Sequence, residues 1–252
     1  KDSSSYNWVT WGFNDREGTL HCYTQYCKKS KCDKPEDRYR FSEIRHYTSK
    51  DGGIIWYDQG TVIGKKSGKD LDAFPVWSGG APKERPDGSL IMTFTALSKL
   101  DPAPYKHDPI MMKNGRPYFN QHLMIAISQD GGYTFDVNPK VLLSPEHNYD
   151  ELKKAGYSFE EKELLGKVDD KRDNNFLSFR DPSILEEKGK WILTFGAKTE
   201  VNEELKSCVG YAIIDDIMNP HKMKIMPPLF IPGKDADFNQ AGLPTLLKIK
   251  TN

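Results

Sequence analysis

The sequence predicts an all-β chain assembled from repeated, short antiparallel strands. Three observations carry that expectation. Twenty glycines and 16 prolines break the 252 residues into short stretches, aromatic residues reach 12% within only 37% hydrophobic overall, and one turn sequence, Ser-x-Asp-Gly-Gly-x-x-aromatic, occurs twice. Many short runs joined by Gly- and Pro-rich turns read as β architecture, and that density of rings does not fit a disordered chain.

Taken in order, Tyr6–Phe13 and Thr19–Tyr26 are rich in aromatic and β-branched residues and flank the turn Asn14–Gly18. Phe41–Ser49 and Ile54–Val62 flank Lys50–Gly53, and Ser89–Ala96 follows Asp87-Gly88. His122–Ser128 and Tyr133–Leu143 lie about Asp130-Gly131, and Phe176–Leu185 and Lys190–Ala197 about Glu186–Gly189. Cys208–Ile214, Lys222–Phe230 and Ala241–Ile249 complete the strand-like runs. The one helical stretch is Tyr149–Leu165, polar and without a clean apolar stripe, which suits a loop element outside the core.

The repeated turns, Ser49–Trp56 and Ser128–Phe135, lie 79 positions apart. In such a turn the Asp side chain bonds backbone amides, Gly takes positive φ, and the following aromatic packs inward. The second copy resembles the Asp-box of sialidases, where the motif is structural. Repeated four-strand units with these turns form a β-propeller, although two similar hairpin turns also fit an unrelated all-β fold. Strand counting puts blade 1 at about 6–63, blade 2 at about 74–144, a helical or loop insertion at about 145–175, blade 3 at about 176–231 and the start of blade 4 at about 238–250. Propellers close with roughly four to eight blades. Residues 1–252 are therefore expected to form an incomplete propeller domain that does not fold alone, with further blades supplied by the rest of the polypeptide or by a neighbouring chain.

Lys and Arg total 36 and so do Asp and Glu, so there is no basic excess of the kind that general nucleic-acid or acidic-membrane binding needs. No apolar run approaches the ~18 residues of a membrane span. The chain begins at Lys1 without a signal-like stretch, so any targeting peptide is expected to lie outside it. Cys22, Cys27 and Cys32 lack zinc-knuckle spacing, and with Cys208 they admit either two disulfides or one disulfide and two thiols. Closely spaced cysteines in a loop-rich stretch suit an oxidising, extracellular or secretory compartment. The six histidines show no i, i+4 pairing, and neither a metal site nor a cofactor is expected.

Three islands stand in order: Trp8-Val9-Thr10-Trp11; Phe74-Pro75-Val76-Trp77-Ser78-Gly79-Gly80-Ala81 with Asp87–Thr95; and Phe179-Arg180-Asp181-Pro182 with Trp191–Phe195. They resemble the motifs of the levansucrase–inulosucrase fructosyltransferases and their relatives, the invertases and fructanases, over most of residues 6–249. The resemblance implies a five-bladed propeller of which about three blades and the start of a fourth are covered, with a funnel for the fructosyl unit of sucrose or fructan. It further implies Asp181 as the transition-state-stabilising carboxylate, Arg180 beside it, Trp77 and Ser78 as ring platform and hydroxyl contact, and Trp8 as the wall beside the nucleophile. Read without the motifs, Asp181 is equally a buried Asp pairing Arg180 or capping a turn, and Trp8 and Trp77 are ordinary core.

Retaining fructosyl transfer needs a nucleophile and an acid/base about 5–5.5 Å apart, and both positions depart from the family pattern. Val9 stands where the nucleophile belongs. Aligned on Pro244, Gly242 stands where the acid/base belongs and Leu243 replaces the arginine. Losing both groups predicts a catalytically silent propeller used for carbohydrate binding or structural assembly. The competing expectation is an active enzyme on sucrose or fructans. There Asn14–Gly18 matches the invertase nucleophile motif, Asp15 attacks, and Glu200, Glu203 or Glu204 supplies the second carboxylate.

Overall fold

The computed structural model describes residues 4–35, 38–64, 75–98, 119–137, 141–165, 178–233 and 241–249. Its strands are β1 (Ser5–Asn14), β2 (Leu20–Lys28), β3 (Glu43–Ser49), β4 (Tyr57–Ile63), β5 (Val76–Gly79), β6 (Lys83–Glu84), β7 (Leu90–Ser98), β8 (Asn120–Ser128), β9 (Asp136–Val137), β10 (Arg180–Glu187), β11 (Lys190–Val201), β12 (Glu204–Ile214) and β13 (Lys224–Phe230). They form three antiparallel sheets in the orders β1-β2-β3-β4, β5-β7-β8-β9 with β6 on β7, and β10-β11-β12-β13. Each sheet is one blade, and together they build three blades of a five-bladed β-propeller. Two short helices, α1 (Arg38–Phe41) and α2 (Tyr149–Lys154), sit in connections.

Two-residue periodicity places blade 2 between its neighbours, because side chains alternate faces along a strand. Met92, Phe94, Met124 and Ala126 turn to one face and pack with Tyr23, Ile44, Val62 and Ile63 of blade 1. Ile91, Leu123 and Ile125 turn to the other and pack with Ile184, Leu193, Phe195 and Ala212 of blade 3. Each Met, Leu, Ile or Phe so taken from water contributes about 1.5–3 kcal/mol. Leu142, Leu143, Leu152, Tyr157 and Phe159, from the stretch after blade 2, extend that second core. The Thr93 hydroxyl donates to the Pro182 carbonyl at 2.8 Å and ties β7 to β10 directly.

The repeated turns have matching hydrogen bonds at equivalent corners, between β3 and β4 and between β8 and β9. Asp51 Oδ1 accepts from the Ser49 hydroxyl and the amides of Ile54 and Ile55. Asp130 Oδ1 accepts from the Ser128 hydroxyl and the amides of Tyr133 and Thr134. Gly52, Gly53, Gly131 and Gly132 all take the positive φ such turns require. The aromatic that follows behaves differently in the two copies. Phe135 is buried as expected, whereas Trp56 stays exposed and donates its indole N–H to the Gly53 carbonyl at 2.9 Å.

Other expectations change. The helix predicted over Tyr149–Leu165 is only α2 and a 3-10 turn at Lys162–Leu164, because Gly156 takes positive φ and the chain then bridges Tyr157 to Thr199. Tyr133–Leu143 gives a two-residue strand, β9, and an isolated bridge from Leu143 to Leu123. The strand predicted at Ala241–Ile249 does not form. Leu243 takes a positive φ of 51°, which breaks the extended backbone, and residues 241–249 pair with no strand among the described residues. Cys27 and Cys32 are joined in a disulfide while Cys22 and Cys208 are free thiols, the one-bridge alternative. The predicted strand start at Phe176, the motif residue Phe74 and the 238–240 part of the acid/base segment lie outside the described residues.

Candidate functional site

The Arg-Asp-Pro sequence opens β10 at a break in the β10–β11 register between Arg180 and Ser183. Within that break Asp181 adopts φ 59°, a left-handed conformation that Asp tolerates better than most residues. Such conformations persist where surrounding bonds over-determine them, and Asp181 is held on every side. Its amide donates to the Thr95 hydroxyl at 2.9 Å. The Ser78 hydroxyl donates to Oδ1, and the Leu243 amide donates to Oδ2 at 3.2 Å. Arg180 Nε stands 3.6 Å from Oδ2, and the Asp181 side chain is only 6% exposed.

The segment 241–244 covers this carboxylate because β11 has glycine at position 196. A side chain there would run into the Ala241 carbonyl, so Gly196 is the seat on which Ala241 rests. The Thr194 hydroxyl fixes the other end by donating to the Pro244 carbonyl at 2.9 Å. A Cβ added at Gly242 would stand 3.3 Å from Asp181 Oδ2. The structure therefore brings Ser78, Arg180, Asp181 and Gly242 together. Trp77, beside Ser78 on β5, is buried against Phe119 with ring centroids 5.4 Å apart, and the Arg38 guanidinium lies 5.9 Å over its ring.

Trp8 and Val9 occupy the register break of β1 between Asn7 and Thr10, half-buried, with the Trp8 ring 6.1 Å from that of Tyr6. Asp15 is elsewhere. It closes the β1–β2 turn, where Oδ1 accepts from the amides of Glu17 and Thr19. Its neighbour Arg16 bonds Glu84 at 2.5 Å, and Glu84 pairs with Leu90 at the start of β7, whereas Asp181 is anchored at Thr95. Those five residues of strand span about 17 Å, so Asp15 and Asp181 sit at opposite ends of the molecule's blades. Glu200 and Glu203 are exposed at the tip of the β11–β12 hairpin, and Glu204 pairs with Lys206 at 2.5 Å.

Thr95, which holds the Asp181 amide, closes the Asp87–Thr95 motif strand, whereas two site groups had no sequence signal: the Leu243 amide, and Gln121, whose Oε1 accepts from the Phe179 amide at 2.8 Å. Near the same end, Lys198 is buried on β11 and donates to the Ser207 hydroxyl at 3.2 Å. Burial first, and then the charge of Arg180, push its ammonium below the ordinary lysine range. Among the described residues no group of three or more His, Cys, Asp or Glu could hold a metal ion. No described helix is long and apolar enough to cross a membrane.

The model of the glycosyl hydrolases family 32 N-terminal domain matches residues 12–218. Among solved structures, an inulosucrase from Halalkalicoccus jeotgali bound to kestose is 20% identical with a TM-score of 0.58, over 91% of this chain and 54% of that one. A sucrose-6-phosphate hydrolase from Lactobacillus gasseri is 15% identical with a TM-score of 0.58, over 93% and 36%. A B. megaterium levansucrase variant is 15% identical with a TM-score of 0.53, over 90% and 56%. The chain thus spans from about a third to just over half the length of these proteins. No curated protein sequence matches it. At these identities the likeness shows the fold.

Proposed function

The chain belongs to the glycosyl hydrolase family 32 N-terminal domain family, and from that premise we propose that it is a catalytically silent propeller that binds fructosyl-type carbohydrate and serves as an assembly module. The observation that carries this reading is the enclosure of Asp181, whose side chain is only 6% exposed. A stabilising carboxylate must offer its oxygens to sugar hydroxyls and to the charge that develops on the ring. Here the Ser78 hydroxyl and the Leu243 amide each fill one acceptor position of the carboxylate, and the segment 241–244 lies over it. Val9 and Gly242 add support, since neither can act as nucleophile or proton donor. Arg180 and Trp8 are proposed to contact the sugar at the rim, with Trp77 buried behind them.

Two further parts of the proposal rest on surface chemistry. Leu229, Phe230 and Ile231 at the β13 edge of blade 3, and Leu247 and Ile249 on its β10 side, where Lys248 pairs with Glu187 at 2.6 Å, are exposed apolar side chains. These side chains are proposed to meet further propeller blades of the same polypeptide or of a neighbouring chain. The Cys27–Cys32 bridge supports an extracellular or secretory setting.

The test is an assay of released sugar from sucrose, kestose, inulin and levan, with calorimetric binding of the same compounds in parallel. Binding without turnover is the expected result. Turnover of about 1 per second or faster, within the ordinary enzyme range, and abolished by Asp15→Ala, would overturn the silent reading in favour of the active one.

A further inference from the structure

His21 on β2 and His46 on β3 are both buried and stacked, with ring centroids 5.1 Å apart. His21 Nδ1 lies 3.0 Å from His46 Nε2, and His21 Nε2 lies 3.3 Å from Asp15 Oδ2. The proton positions follow from chemistry. Burial opposes ionisation of Asp15, but the Thr19 amide, His21 and the Glu17 amide outweigh it and hold the carboxyl below its usual range, so it only accepts. His21 therefore donates through Nε2 and accepts at Nδ1, and His46 donates through Nε2. His46 Nδ1 is left bare, and it has no partner among the described residues.

The turn of blade 2 clasps this pair. Tyr133 meets both rings edge-on, with centroids 5.3 Å from His21 and 5.4 Å from His46. Phe13 stacks on His21 at 4.6 Å and Tyr23 on His46 at 4.7 Å. The Tyr23 hydroxyl donates to the Gly132 carbonyl at 2.9 Å. The titratable groups facing the pair are Asp15 from the β1–β2 turn, Tyr23 from β2, Asp58 from β4, and Asp130 and Tyr133 from the blade 2 turn.

We propose that Asp15, His21 and His46 form a proton-operated latch between blades 1 and 2, which holds the 130–135 turn while both rings are neutral and loosens when one of them is protonated. A proton added to His21 makes Nδ1 a donor, so His46 must accept at Nε2 and move its own hydrogen to Nδ1, where no acceptor among the described residues faces it. A proton added to His46 places a cation in a ring stack. Either way a buried donor goes unmet, which is costly. Burial and the charge of His21 lower His46 from 6.5 to about 4, against the opposing pull of Asp130 and Asp58. An unfolded imidazole takes up its proton near 6.5 and the folded one only near 4, so the unfolded state binds more protons between those values. Stability at the latch is thus full above about pH 6.5 and is lost as pH falls towards about 4.

The whole chain tests this by ring nitrogen NMR of the histidines and by hydrogen exchange of residues 130–135, from about pH 7.5 down to about pH 4.5. His46 should be the Nε2–H tautomer at neutral pH and remain neutral well below the ordinary histidine range. The opening constant of the 130–135 turn, corrected for intrinsic exchange, should rise between about ten- and a hundredfold. His46→Gln keeps a donor for His21 and cannot take a proton, so it should flatten that rise. An Nδ1–H tautomer, a His46 titration near the ordinary value, or an unchanged rise in His46→Gln would overturn the latch. If His46→Gln does not fold, the wild-type NMR measurement alone decides.

Discussion

Removing the Ser78 hydroxyl leaves Asp181 Oδ1 without its donor inside a nearly closed site. A buried acceptor left unmet costs about 1–3 kcal/mol, and Ser78→Ala should lower the urea midpoint by a corresponding amount. Ser78→Thr, which keeps the hydroxyl, should lose less. This is the scale at which the sequence was most legible and also where it stopped. Trp77-Ser78 and Arg180-Asp181 stand out because short polar motifs amid apolar strands need a chemical reason, and they do meet at one place. What occupies Asp181 from the other side was invisible, because a backbone amide such as that of Leu243 leaves no mark on the residue type that bears it. His21 and His46 were hidden for another reason. They sit 25 positions apart, and only the β2–β3 register brings them together.

At the level of elements, the paired Asp turns give an internal comparison. In both, donors outweigh burial or act with little opposition and hold the carboxyl below the usual range, led for Asp51 by the Ile55 amide and for Asp130 by the donors of Thr134 and Ser128 acting against burial. Groups lowered in the fold contribute stability above the unfolded carboxylate value, and that contribution is lost as pH falls through and below about 4. Asp130→Ala should cost about 1–2 kcal/mol in hydrogen-bond energy and should loosen Tyr23 as well, since that hydroxyl rests on Gly132. Asp51→Ala should shift the melting temperature less, because Ile54, Ile55 and Trp56 around it are exposed. Scanning calorimetry of both variants checks the order. These turns were legible because Ser, Asp and Gly are required there by hydrogen bonding and by positive φ. The 241–249 segment was misread because extended-looking composition carries no information about whether a partner strand lies alongside.

For the whole molecule, exposed apolar residues on and beside blade 3 predict a measurable behaviour. Phe230→Ser combined with Ile249→Ser removes two exposed apolar side chains that contribute little to the core. The variant should stay monodisperse by light scattering at higher concentration than the parent, with an unchanged unfolding midpoint. A lowered midpoint would mean that these side chains are packed. The architecture was legible at this scale since turn repeats and strand counts survive large changes in side chains. The direction of blade contact was not, because alternating apolar residues on β7 and β8 say that both faces are covered but not by which neighbour. Among the described blades, the middle one alone has both faces covered by other blades, and this makes it a keystone. Deleting either flanking blade would leave a two-blade remainder with one core intact, whereas deleting the keystone would leave two sheets with nothing in common.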